Sequence, residues 1–215
     1  AVNPALKTVL IRGDPGSAKT TLARSAVFLF PGRSMVNIPQ NVSPEALFGG
    51  LDVEKTMETG EPRFQSGLMG RADGNIAYID DVNLLEDGIL ASVTDAVYGG
   101  SVRLEREGAS MEYACDTVVI ATMNPDDSDI SDHMLDRFCM CAYSTGVEDQ
   151  PEREEIVHRN MRFCASPRDF MESYAEADAK VEAEVSRARE ILPCVTISDE
   201  LLMISVELCG SVDAD

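Results

Sequence analysis

The sequence predicts an α/β fold in which a parallel sheet with inserted β-hairpins is followed by a partial helical lid. Three observations carry that expectation. The β-branched run Lys7 to Arg12 (KTVLIR) ends at a glycine-rich loop, after which Lys19 to Phe30 has the apolar spacing of a helix. Two later runs, Asn75 to Asp80 (NIAYID) and Thr117 to Thr122 (TVVIAT), are apolar without alternation, the pattern of strands covered on both faces. After Val147 the segments read as helix. Strands alternating with helices build parallel sheets, because a parallel partner is reached only through a crossover.

The remaining elements follow in order. Ser34 to Ile38 supplies a second strand, and Leu51 to Gly74 reads as helix interrupted by a hairpin or loop. Glu86 to Tyr98 is a helix. Ser101 to Tyr113 (SVRLEREGASMEY) holds two alternating segments around Glu107-Gly108, as expected of a protruding hairpin. Phe138 to Tyr143 offers a fifth strand, and Pro151 to Asn160, Pro167 to Leu192 and Ser198 to Cys209 are helix-like. Pro151, Pro167 and Ser198 stand where helix starts belong, and Pro193 where a stop belongs. A boundary near Val147 therefore divides an α/β nucleotide-binding domain, residues 1–147, from a helical lid region, residues 148–215, expected to be incomplete.

Acidic residues outnumber basic ones 38 to 18, and the formal charge of −20 repels nucleic-acid phosphates and anionic membrane surfaces. Nucleic acid is therefore not the expected partner. No apolar run reaches the roughly 18 residues that a bilayer span needs, and no signal-peptide pattern opens the chain, so the cytoplasm is the expected location. The six cysteines lack paired C-x-x-C spacing and read as reduced structural thiols, with Cys139 and Cys141 on one face of a strand and expected to be buried. His133 and His158 have no companion ligand within a helical turn and are expected to face solvent, while Met134, Met161 and Met203 are expected to fill cores. The chain opens just before a strand and stops at Asp215 without a closing feature, as a piece of a longer protein would.

Chemistry concentrates around two motifs. Gly13-Asp14-Pro15-Gly16-Ser17-Ala18-Lys19-Thr20, with Thr21 after it, lies between a strand and a helix, the context of a phosphate-binding P-loop. Backbone N–H groups of the loop and of the helix start converge on phosphate oxygens, and the helix dipole adds to their attraction. Lys19 neutralises the β and γ oxygens of ATP, and Thr20 offers its hydroxyl to Mg²⁺. Ala18 replaces the glycine that ordinarily precedes the lysine, adding a methyl group where backbone approaches phosphate. The apolar strand Ile76 to Ile79 then ends in Asp80-Asp81, which brings a carboxylate beside that magnesium. Asp80 holds the ion, largely through water, in this reading.

A P-loop followed by an acidic strand end resembles the AAA+ class of ATPases. That resemblance implies that Asp81 polarises the attacking water from a position where the class has glutamate, so its shorter reach predicts slow hydrolysis. In Thr122-Met123-Asn124-Pro125, Asn124 corresponds to the sensor that orients water near the γ-phosphate, with a simple Asn-Pro turn as the plain alternative. In Met134-Leu135-Asp136-Arg137-Phe138, Arg137 corresponds to the arginine finger inserted into a neighbour's site, with a surface salt bridge to Asp136 as the plain alternative.

Longer runs resemble the magnesium chelatase motor family: Val36 to Pro39 (VNIP), Leu47 to Lys55 (LFGGLDVEK), Tyr78 to Leu85 (YIDDVNLL), Leu104 to Gly108 (LEREG), Leu135 to Met140 (LDRFCM) and Ala188 to Pro193 (AREILP). Together they span nearly the whole chain. The resemblance implies an ATP-hydrolysing motor in a homo-oligomeric ring. Such a motor works with a second AAA+ subunit bearing an integrin-like domain and drives metal-ion insertion into a tetrapyrrole held by a large chelatase subunit. Ala18 also resembles the P-loops of fused magnesium or cobalt chelatase-like proteins, which leaves the metal open. The family's second sensor arginine is expected a few residues beyond Asp215. Two other readings fit the same motor architecture: a MoxR-like remodelling ATPase that matures other proteins, and a nucleotide-binding structural subunit with weak hydrolysis.

Overall fold

The computed structural model describes residues 1–106, 109–128 and 130–211. β1 (Thr8–Gly13), α1 (Lys19–Ser25) with a 3-10 extension over Ala26–Leu29, and β2 (Met35–Ile38) come first. An inserted unit follows, made of α2 (Pro44–Phe48), β3 (Gly49–Leu51), α3 (Val53–Thr59), β4 (Phe64–Ser66) and α4 (Leu68–Ala72). The chain continues through β5 (Ile76–Ile79), α5 (Asp87–Gly99), β6 (Ser101–Arg106), β7 (Ala109–Ala114), β8 (Val118–Met123), α6 (Asp132–Leu135) and β9 (Met140–Ser144). Four helices complete the described chain: α7 (Gln150–Ala165), α8 (Pro167–Glu172), α9 (Ala175–Ile191) and α10 (Asp199–Ser211).

Five strands form one parallel sheet in the order β2-β5-β8-β1-β9. Its central strands carry apolar side chains on both faces, as their unbroken hydrophobic sequences require. Leu10, Val119 and Ala121 join one core with Leu90, Val93 and Val97 of α5, while Ile11, Ile76, Tyr78 and Ile120 join a second core against Ala23 of α1. Each fully buried aliphatic side chain of this kind contributes about 1.5–3 kcal/mol. The register matters for function. Ile79 pairs with Ala121, and Arg12 pairs with Met123, so β5, β8 and β1 open at the same edge of the sheet, with β5 ending two residues before β8. Open parallel sheets bind ligands beyond such ends.

The insertion is more elaborate than a helix with a hairpin. Antiparallel β3 and β4 enclose α3, and α2 and α3 begin on side-chain caps: Ser43 accepts from the Ala46 N–H at 3.2 Å and Asp52 from the Lys55 N–H at 3.1 Å. The second hairpin pairs β6 with β7, and the expected turn residues Glu107-Gly108 lie outside the described residues.

Other expectations are corrected. The single helix foreseen from Pro167 to Leu192 is two helices, broken around Ser173-Tyr174, where the Phe170 ring lies 5.0 Å from that of Tyr174 and 5.7 Å from that of Phe163 on α7. Met134 is buried, but Met161 and Met203 are exposed, because no described layer covers α7 and α10. Cys139, just before β9, and Cys141 within it are exposed as well, since β9 is an edge strand that no described helix covers, and Cys115 is the buried thiol. His133 and His158 face solvent. No described helix is long and apolar enough to cross a membrane.

Arg189 ties α9 to the sheet domain, its Nε donating to the Ala1 carbonyl at 2.5 Å and its Nη2 to the Leu29 carbonyl at 2.8 Å. Losing both bonds costs about 1–3 kcal/mol of local stability. Arg189→Ala is therefore expected to speed amide hydrogen exchange in residues 175–191 about tenfold or more, while exchange in β1, β5 and β8 stays as it was.

Candidate active site

β1 delivers its chain into the loop at Gly13, where a Cβ would collide with the Ser144 carbonyl of β9. Only glycine lets the two strands approach so closely at that point. Ser144 braces the loop again through its hydroxyl, which donates to the Ser17 carbonyl at 2.6 Å. Within the loop, Ser17 N–H and Oγ both donate to the Asp14 carbonyl, at 3.2 and 2.9 Å. Asp14, Pro15, Gly16 and Ala18 are exposed, and Thr21 faces solvent from the first turn of α1. Lys19 is buried under the loop, its Nζ donating to the carbonyls of Gly13 at 2.5 Å and Asp14 at 2.8 Å.

α1 begins without a side-chain cap or an acidic residue in its first turn. Among the described residues, no hydrogen bond consumes the backbone N–H groups of Gly16, Ala18, Lys19, Thr20 or Thr21. A row of free amides at a helix start is a binding surface for an anion. It fits the phosphates of a nucleotide.

Asp80 lies at the end of β5 and gathers three hydroxyls on one oxygen. Thr122 of β8 donates to Oδ1 at 2.5 Å, Tyr78 at 2.9 Å and Thr20 of α1 at 3.4 Å. A hydroxyl and a carboxylate this close form the hard-oxygen pair that Mg²⁺ prefers, so Thr20 and Asp80 fit that ion. Asp81 beside it adopts a left-handed backbone, φ 47°, and its N–H donates to Thr122 Oγ1 at 3.2 Å. Gln40, in the loop after β2, donates to Asp81 Oδ2 at 3.4 Å. Burial lifts the Asp81 carboxyl above the ordinary aspartate range, the charges of Asp80 and Asp127 add to that shift, and Lys19 and Gln40 oppose it.

Asn124 follows the last residue of β8 and is buried level with Gly13 across the sheet. Its Oδ1 accepts from the Asp126 N–H at 3.3 Å, and Asn83 fastens the same loop by donating to the Asn124 carbonyl at 3.3 Å. Arg137 lies elsewhere. Its carbonyl accepts from Thr8 at 3.0 Å, at the amino end of β1, whereas the P-loop begins at the carboxyl end. At about 3.3 Å per residue, the strand separates the two ends by about 16 Å. The salt bridge with Asp136, the plain alternative to the finger, is absent among the described residues, and the partner is Asp95 on α5, at 2.6 Å. Sequence reasoning missed Gln40, Tyr78, Thr122, Ser144 and Asp95 as parts of the site. Tyr78 alone carried a local signal, sharing a strand face with Asp80 two residues on.

A cavity of about 290 Å³ beside Asp80 is lined by Arg24, Asn37, Pro39, Gln40 and Tyr78 among others. A larger one, about 890 Å³, lies away from this chemistry between the inserted unit and Glu105.

Residues 8–138 match the family model of the AAA domain, dynein-related subfamily. Over 245 residues the chain is 30% identical to a magnesium-chelatase subunit ChlI homolog of Methanocaldococcus jannaschii, covering 97% of this chain and 67% of that protein. The chain belongs to the ChlI-like AAA+ family. An uncharacterized protein of Mycobacterium tuberculosis is 33% identical over 221 residues, and the match covers 100% of this chain but 35% of that protein. Structurally, the chain is similar to a model of the complex between magnesium chelatase subunits BchI and BchD built on a cryo-EM reconstruction. The TM-score is 0.62 at 28% identity, over 89% of this chain and 70% of that one. Residues 8–138 are thus an AAA domain.

Ala18 and Asp81 are the non-glycine residues with positive φ among those described, at 62° and 47°. For Ala18 the left-handed conformation costs about 1–2 kcal/mol, partly offset because alanine loses less chain entropy on folding than glycine. Ala18→Gly is expected to stabilise the fold by about 0.5–1 kcal/mol, read in calorimetry as a rise of about 1–3 °C in Tm.

The raised Asp81 carboxyl fixes the sign of a pH effect. With Asp81 as the group that takes the proton of the attacking water, only its ionised form would serve, so kcat/KM for ATP should fall as pH drops through a value above that of an ordinary aspartate. Asp81→Asn should lower kcat/KM and abolish that acid limb.

Proposed function

We propose that this chain is the ATP-hydrolysing motor of a chelatase, driving insertion of a metal ion into a tetrapyrrole held by a separate large subunit. The observation that carries the reading is the pairing of a P-loop with the Asp80-Asp81 strand end inside a chain similar along its whole length to ChlI proteins. The similarity to the BchI–BchD complex supports work in an oligomeric ring beside a second AAA+ subunit. In that subunit, an integrin-like domain is the expected companion. The α/β domain ends near Val147, and the helices after it form the lid.

The roles follow from position. On nucleotide binding, Lys19 exchanges the Gly13 and Asp14 carbonyls for β and γ oxygens, while the free amides of Gly16 to Thr21 meet the phosphates. Thr20 and Asp80 would hold Mg²⁺, which would neutralise phosphate charge. Asp81 accepts a proton from the attacking water as the bond to the γ-phosphorus forms, and the bond to the ADP oxygen breaks. Asn124 orients that water. Arg137, about 16 Å from its own loop along β1, acts on the nucleotide of a neighbour.

Capture with the full-length protein from native extract tests the chelatase reading. A tetrapyrrole-holding subunit and a second AAA+ subunit are the expected companions, and recovery of a cofactor-dependent enzyme instead would assign the motor to protein remodelling. Lys19→Ala should abolish tight ATP binding, and Arg137→Ala should keep binding but lower turnover by about 10³-fold or more. Mixed together, the two variants should regain turnover, because some interfaces then combine an intact loop with an intact finger. A mixture that forms joint assemblies yet hydrolyses no more ATP than its components sinks the trans role of Arg137.

A further inference from the structure

One face of α5 converges on a single nitrogen of Arg137. Nη1 donates to Asp95 Oδ1 at 2.6 Å, to Thr94 Oγ1 at 3.0 Å and to the Ala91 carbonyl at 3.4 Å. These residues stand at i, i+3 and i+4, so they share one side of the helix. A turn further on, Tyr98 donates its hydroxyl to the Arg137 carbonyl at 3.2 Å, and the same stripe thereby holds the backbone. Thr94 is fully buried and donates back to the Ala91 carbonyl at 2.9 Å, which leaves its oxygen to receive the guanidinium. Arg137 Nε is buried without a partner, and no hydrogen bond among the described residues takes up Nη2. The planar fork is pinned at one corner.

Folding gains little from this pair, because the Asp95 side chain is 70% exposed and water screens the attraction. Orientation is another matter. A free arginine samples many rotamers, and a group that stabilises a transition state must be held close to its productive geometry before reaction. The geometry points to Asp95, assisted by Thr94, as the positioning residue of the arginine finger: it clamps Nη1 so that Nη2 is presented to the γ-phosphate in the adjoining subunit. This inference rests on the reading of Arg137 as a finger acting in trans. It assigns Asp95 to the neighbour's reaction rather than its own.

Phosphate release by full-length Asp95→Ala, alone and mixed with Lys19→Ala subunits, tests it. Alone, the variant should lose about tenfold in kcat, with KM for ATP within about twofold and Tm unchanged. Asp95→Asn, which keeps an acceptor oxygen, should be intermediate. Mixing with Lys19→Ala should restore turnover at Asp95→Ala loops, because the added subunits bring an intact, clamped finger. Wild-type or faster turnover by Asp95→Ala overturns the inference, the faster result meaning that the pair restrains the finger. So does a defect that mixing leaves in place while the Arg137→Ala defect is relieved, since the effect then lies within one chain and the finger stands. If mixing fails to relieve Arg137→Ala itself in joint assemblies, the finger falls and the inference with it.

Discussion

The Asp80 carboxylate is the point on which the site's geometry depends. Its Oδ1 draws hydroxyls from α1, β5 and β8, three elements that are far apart in sequence and neighbours only because the sheet order brings them together. A carboxylate drawn partly out of water requires such donors, and these fix where it points. Thr122 serves twice, donating to Asp80 and accepting from the Asp81 N–H, so both acidic side chains take their bearings from one hydroxyl on the neighbouring strand. Thr20 joins α1 to the same oxygen.

Around that point the backbone is under tension. Among the described residues, two that carry a Cβ occupy left-handed conformations, Ala18 just before the lysine and Asp81 at the end of β5. Strain of this kind persists only where the surroundings over-determine it, and here they do. The strand pairing beneath Gly13, the Ser144 brace and the Thr122 hydroxyl leave little freedom to relax. The glycine that the P-loop pattern calls for is thus absent at a position whose backbone still behaves as though it were present.

Much of this was legible in the sequence, for local reasons. β1, β5 and β8 are buried on both faces, so their apolar runs declared them, and the P-loop and acidic pair each occupy a few consecutive residues. The inserted strands β3 and β4 are three residues long, too short for alternation to register. β9 reads as buried because Cys139, Met140 and Cys141 are apolar, yet an edge strand has only one strand neighbour and here no helix above it. Gln40, Ser144 and Asp95 were invisible for a different reason. Each meets its partner across about 40 residues or more, through register that only the assembled sheet supplies.

The placement of Gly13 and Arg137 at opposite ends of β1 gives each subunit a polarity. In the proposed motor, one rim of the sheet would receive a nucleotide and the other would offer a cation, so association through them would run head to tail and could not be self-complementary. An open row of such subunits always leaves one loop unserved at its first member and one finger idle at its last. Closing the row into a circle removes both vacancies at once, which under the proposed trans role of Arg137 would make catalytic completeness a property of the closed assembly rather than of any pair within it.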